Sequence, residues 1–86
     1  MSYFVFLTPA AERERRKLPS AIKTRINQSL LGMETDPRPA GVTKMTGGHD
    51  RWRIRVGDYR VIYSIDDHAK HITVLRIAHR REVYRD

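Results

Sequence analysis

The chain predicts an α+β fold: two N-terminal helices packed on a mainly antiparallel sheet, in the order β-α-α-β-β-β-β, with a short C-terminal tail. Three observations predict it. An aromatic and β-branched run, Tyr3 to Leu7, opens the chain. Two helical patterns follow, punctuated by Pro9, Pro19 and Asp36-Pro37. Strand-like runs joined by tight turn signals then fill the second half, most clearly around Gly57-Asp58. At 86 residues the chain has room for a single domain, residues 1–86, with one modest core.

Each element has a local cause. After the first strand, Thr8 is a good N-cap and Pro9 suits a first helical turn, so a short helix runs from Pro9 to about Lys17. Its surface is heavily charged, and Glu12 is spaced to meet Arg15 or Arg16 one turn on. That charge run reads as a solvated helix face. Pro19 ends this helix and opens a second, in which Ile22, Ile26, Leu30 and Met33 form one apolar stripe. Gly32 and Asp36-Pro37 stop it, and residues 36–41 read as a loop. Val42 to Met45 is a short strand and Gly47-Gly48 a turn. Arg51 to Val56 and Tyr59 to Ile65 are strands, Asp66 to Lys70 a turn, and His71 to Ala78 the last strand. The polar tail from His79 to Asp86 has room for one helical turn.

A two-residue loop at Gly57-Asp58 fixes the pairing of the hairpin. Val56 then lies opposite Tyr59, Arg55 opposite Arg60, Ile54 opposite Val61, Arg53 opposite Ile62 and Trp52 opposite Tyr63. Alternation puts Trp52, Ile54, Val56, Tyr59, Val61 and Tyr63 on a core face, and Arg51, Arg53, Arg55 and Arg60 together on the other. Like charges directly opposite one another weaken a sheet. Four arginines splayed into solvent are one reading of that face. An anion site is the sharper one, because a planar guanidinium binds phosphate through two hydrogen bonds.

Charge and composition agree with a polyanion partner. Seventeen Lys and Arg against ten Asp and Glu leave a net charge of +7. The absence of cysteine excludes disulfides and thiolate zinc sites. The spacing of His49, His68 and His71 matches no metal-ligand motif, so neither a metal nor another cofactor is expected. Apolar runs are too short to span a membrane and no leader pattern opens the chain, so a cytoplasmic protein is expected.

The strand, the two helices, the hairpin Gly57-Asp58-Tyr59-Arg60-Val61-Ile62-Tyr63 and the closing His79-Arg80-Arg81-Glu82-Val83-Tyr84 together resemble the RelE/ParE toxin superfamily, from Tyr3 to Arg85. The resemblance implies a microbial, metal-independent nuclease encoded beside an antitoxin that binds and silences it in a hetero-oligomer. RelE-type members enter the A site of the 70S ribosome and cut messenger RNA. The basic pair of that pattern falls on Arg53 and Arg55, where the best-known members have lysine. The arginine after the hairpin turn falls on Arg60. The closing arginine falls on Arg80, with Arg81 beside it and either register open, and the C-terminal tyrosine falls on Tyr84. ParE-type members share the fold, are associated with inhibition of DNA gyrase, and generally lack the full catalytic set. A non-catalytic nucleic-acid-binding module is a third reading.

Metal-free cleavage of RNA needs a base for the 2′-hydroxyl, positive charge at the phosphorane and an acid for the leaving 5′-oxygen. Arg53, Arg55 and Arg60 supply charge but keep their protons, so proton transfer moves to other groups. Tyr84 and His79 are the candidates, each with a structural alternative: a tyrosine pinning the tail, and a surface histidine at a strand end. Arg51, Lys44, Arg15 and Arg16 are expected to add nucleic-acid contacts. Trp52 is placed with the core by its alternation.

Overall fold

Thr8 caps the first helix as its position dictates, its Oγ1 accepting the Ala11 N–H at 3.1 Å while Pro9 takes the first helical position. The computed structural model describes residues 2–46 and 50–83, with side chains as far as Arg81. Their order is β1 (Phe4–Leu7), α1 (Pro9–Arg16), α2 (Ser20–Gly32), β2 (Thr43–Lys44), β3 (Arg51–Val56), β4 (Tyr59–Asp66), β5 (His71–His79) and α3 (Arg80–Val83). The expected strand and helix order is therefore present, and the first residues of the tail form a helical turn. The predicted Gly47-Gly48 turn lies outside the described residues.

The five strands form one sheet in the order β1-β5-β4-β3-β2. Every pairing is antiparallel except β1 with β5, which is parallel. The first strand thus lies beside the last, at an edge. The second helix buries Ile26 and Leu30, followed by the capping Met33, and Ile22 packs at the margin. Ala11 and Leu18 join them from the first helix and its connection. Against these side chains lie Val56, Val61, Tyr63, Ile65, Ile72, Val74 and Ile77 from the sheet. Burying an aliphatic side chain of this kind contributes about 1.5–3 kcal/mol, so this face holds most of the folding energy.

Tyr63 is fully buried and its hydroxyl donates to the Pro37 carbonyl at 2.8 Å, which ties down the long loop after α2. Burial pushes that phenol up to about 12. The same loop is held at its surface by Arg38, whose two Nη groups meet the Asp67 carboxylate at 3.2 and 2.8 Å. The Tyr3 hydroxyl donates to Asp67 as well, at 2.7 Å. Arg38 first and Tyr3 second hold the Asp67 carboxyl down at about 2.

β5 contains an irregularity that local pattern did not predict. Ile62 pairs with Arg76 but Tyr63 pairs with Val74, so Leu75 is an extra residue, a β-bulge. The first helix repairs it. Glu14 accepts the Ile77 N–H at 2.8 Å with one carboxylate oxygen and Arg76 Nε at 2.8 Å with the other, and the Thr8 hydroxyl donates to the Leu75 carbonyl. Glu14 is therefore a structural ligand of the sheet, which corrects the expectation that the whole charge run is solvated. Glu12 also serves locally: Arg15 and Arg16 both meet it, and Arg15 above all holds its carboxyl at about 2.

Candidate active site

The hairpin forms with the predicted register at all five pairs, from Val56 with Tyr59 to Trp52 with Tyr63. Gly57 sits at φ +60 while Asp58 stays at negative φ, the pattern of a type II′ turn. Glycine is required there twice over. A Cβ would lie 2.8 Å from Ile22 Cδ1, because the turn rests on the second helix. The two faces divide as expected. Val56, Val61 and Tyr63 are buried under the helices, with Trp52, Ile54 and Tyr59 packed at the margin.

Arg51, Arg53, Arg55 and Arg60 share the open face. Arg51 and Arg55 are exposed and Arg53 is half-buried. Arg60 is buried, at 7 % exposure, which differs from the solvated outer face that alternation alone suggests. The reason lies beside it. Ile62 and Ala78 form a small second core on this face, flanked by Met45 and Leu75. Ala78 is the direct neighbour of Arg60 across β4 and β5, and Arg55 is its neighbour on β3. The stem of Arg60 thus lies in an apolar setting, with a second arginine opposite it on the neighbouring strand. Arg55 Nε donates to the Gly57 carbonyl at 3.1 Å, which folds that side chain toward the turn. Farther along the same face, Phe4 and Phe6 lie exposed at the β1 edge with ring centroids 6.0 Å apart, beside His71.

Other predicted residues divide into two groups. Arg80 and Arg81 open α3, and the Arg80 N–H donates to the Asp58 carbonyl at 2.8 Å, so the start of the closing motif is fixed to the tip of the arginine hairpin. His79 ends β5 opposite Tyr59, with the two rings edge-on at 5.4 Å. That places its imidazole on the helix-covered side, at a small cavity of about 190 Å³ with Glu14, Lys17 and Leu18, across the sheet from Arg55 and Arg60. Its Nδ1 faces the Arg81 N–H at 3.4 Å. Lys44 is also on the helix side: it pairs with Trp52, stands 5.7 Å from that ring and reaches Asp50 at 4.0 Å. Arg15 and Arg16 belong to the helix layer and are engaged with Glu12. Tyr84 and His49 lie outside the described residues. Trp52 is packed as expected, with Arg38 stacked 4.9 Å over it. Among the described residues no three His, Asp or Glu side chains are grouped to hold a metal.

Sequence reasoning missed Arg25, on the exposed side of α2, and Arg76, which is bound to Glu14. It also named Ile62 only as the partner of Arg53 and gave it no place in a core. The run Val61-Ile62-Tyr63 is apolar at both parities, a mark of burial on two faces that was available to read.

The profile of the family described as "ParE toxin of type II toxin-antitoxin system, parDE" matches residues 5–84. The chain belongs to the RelE/ParE toxin superfamily. It is similar to Toxin RelG of Mycobacterium tuberculosis, with 31% identity covering 99% of each chain. Toxin RelE of the same organism is 31% identical, with 96% of this chain and 87% of that one covered. In structure it is similar to the RelE of the archaeal RelE–RelB complex from Pyrococcus horikoshii, with a TM-score of 0.84 and 33% identity over 93% of this chain and 97% of that one. This RelE/ParE member is accordingly a toxin of a type II toxin-antitoxin system. Within the superfamily fold, its arginine hairpin and the start of its closing motif meet at one end of the open sheet face.

Proposed function

We propose that this toxin is a metal-independent endoribonuclease that cuts messenger RNA in the ribosomal A site, so stopping translation in the cytoplasm. The observation that carries this reading is the gathering of Arg53, Arg55 and Arg60 on one open face, with Arg80 fixed at its edge. Attack of a 2′-oxygen on the adjacent phosphate builds negative charge on the phosphorane, and guanidinium groups preorganised around it stabilise that charge more than they stabilise the ground state. Burial of Arg60 strengthens its field at a phosphate on the surface above. Arginine does not give up its proton at neutral pH, so the proton transfers belong to another group. His79 is directed to the opposite side of the sheet, which leaves Tyr84 as the proposed proton carrier.

The relatives crystallised as RelE–RelB complexes support a cognate antitoxin as the partner of this chain as well. A segment laid along the open face would cover both the arginines and the exposed Phe4 and Phe6 at the β1 edge. No helix among the described residues is long and apolar enough to cross a membrane.

The test is direct. Purified toxin added to a translation extract is expected to yield messenger RNA fragments with ends mapped inside ribosome-bound codons, and Tyr84→Phe is expected to remove most of them. The family description names ParE toxins, so relaxed plasmid with DNA gyrase is the parallel assay. Loss of supercoiling with intact messenger RNA would replace the nuclease by a gyrase inhibitor.

A further inference from the structure

A second concave surface lies apart from the arginine face. It lies between the exposed side of α2, the 36–42 loop and the hairpin tip, and encloses about 740 Å³, within the range of roughly 300–1,000 Å³ common for small-ligand sites. Its walls are Ile22 and Ile54 at the base, Ala40 and Gly41 on the loop side, and Arg25, Arg55 and Asp58 at the rim. The contact between Gly57 and Ile22 holds the two sides in place, and Arg25 Nη1 stands 3.3 Å from the position that a Cβ of Gly57 would take. Arg25 makes no hydrogen bond or ion pair among the described residues.

Arg55 has a double position. By register it belongs to the open face opposite Arg60, but its Nε bond to the Gly57 carbonyl turns the side chain to the tip, where it also lines the cleft. The cleft and the arginine face are therefore neighbours around one turn of chain. We infer that the cleft between α2 and the hairpin tip is a second nucleotide site, which takes a base and phosphate of single-stranded RNA flanking the nucleotide held on the arginine face. This rests on the RNA reading proposed above. The apolar base formed by Ile22 and Ile54 suits the flat side of a nucleobase, and Arg25 with Arg55 suits its phosphate. Asp58 accepts hydrogen bonds only, so it favours bases that present an exocyclic amine, namely guanine, cytosine or adenine over uracil. Charge complementarity selects RNA over a neutral peptide, and the shared Arg55 makes the path continuous.

Fluorescently labelled 2′-O-methyl oligocytidylates of three and twelve nucleotides, uncleavable by 2′-attack, provide the measurement with the whole chain. Arg25→Ala is expected to weaken the twelve-nucleotide probe roughly tenfold and to flatten its salt dependence by about 0.7 in log–log slope, the value for one phosphate contact on a single strand. The trinucleotide, filling the arginine face alone, is expected to lose much less. Ala40→Glu, which adds a negative charge to the loop wall while keeping every arginine, is expected to repeat the pattern. An oligouridylate of the same length is expected to bind more weakly than the oligocytidylate and to show no difference once Asp58→Asn is made. Unchanged affinity for the long probe in both Arg25→Ala and Ala40→Glu, with Arg60→Met still weakened, would overturn the second site and leave the nuclease reading standing. No effect of Arg60→Met either would overturn both. A labelled oligoglutamate peptide that binds more tightly than RNA and is lost in Arg25→Ala would assign the cleft to an acidic protein segment instead.

Discussion

The two faces of one hairpin teach opposite lessons. On the helix-covered face, Val56, Val61 and Tyr63 are shut away from water and any neighbour of similar shape serves the fold. On the open face, Arg55 and Arg60 stand directly opposite each other, an arrangement that sheet energetics disfavour. The first face uses alternation to gather apolar area. The second uses the same alternation to concentrate charge around a small apolar cluster of Ile62 and Ala78. Stability and the proposed phosphate affinity thus fall to neighbouring residues of the same strands, which makes them separable by mutation.

The strongest challenge to that separation is Ile26→Ala. Ile26 is fully buried on the second helix, and its truncation is expected to cost about 2–5 kcal/mol in denaturant unfolding. Cleavage per folded molecule at low temperature should remain at the parental level; a matching loss there would show that the faces are not separable. Next comes Arg60→Met, which keeps an unbranched apolar stem in the buried position and removes the charge. Messenger RNA cleavage in a ribosome-containing assay is expected to fall at least about a hundredfold, or ~2.7 kcal/mol of transition-state stabilisation. The thermal midpoint should move by only a few degrees. A collapsed midpoint would mean that the charge of Arg60 holds the sheet together.

A smaller effect is expected at Asp67, which is paired with Arg38 rather than with the hairpin arginines. Its carboxyl is held at about 2 in the folded protein against an ordinary value of 3.8. The lowered value means that its contribution is fully present above the unfolded-state value near pH 4 and is lost as pH falls through the folded value near 2. Asp67→Asn should therefore lower the thermal midpoint at neutral pH, and the gap from the parent should narrow between about pH 4 and 2. A constant gap across that window would point to lost hydrogen-bond geometry rather than charge. The smallest effect belongs to Arg55→Ala. Relief of cross-strand repulsion, about 0.2–1 kcal/mol, offsets loss of the bond to the Gly57 carbonyl, about 0.5–1.5 kcal/mol. Unfolding free energy is expected to change little while cleavage falls, the cleanest expression of a face kept for charge.

Much of this was legible because it depends on short-range rules. A two-residue loop with glycine at its first position fixes register, and register fixes which arginines share a face. Thr8-Pro9, Pro19 and the Ile22-Ile26-Leu30-Met33 stripe likewise fix the helices. What stayed hidden depends on contacts distant in sequence. The parallel pairing of β1 with β5 joins residues some 67 positions apart, as in Phe4 with His71. The burial of Arg60 goes with its pairing to Ala78 on β5, which no periodicity connects to it. The direction of His79 follows from the bulge at Leu75, one inserted residue that changes the side of the sheet on which the end of β5 presents its side chains. A strand read as unbroken from His71 onward gives no sign of that switch.

That bulge also has a consequence for motion. The Ile77 N–H is held by a carboxylate from another element, so its exchange with deuterated solvent requires α1 to lift from the sheet. The amide of Thr8, bonded to the Val74 carbonyl, reports instead on the pairing of β1 with β5. Together the two protons distinguish helix docking from sheet pairing. If an antitoxin or a ribosome loosens the helix layer while the sheet stays paired, the Ile77 amide should exchange before that of Thr8.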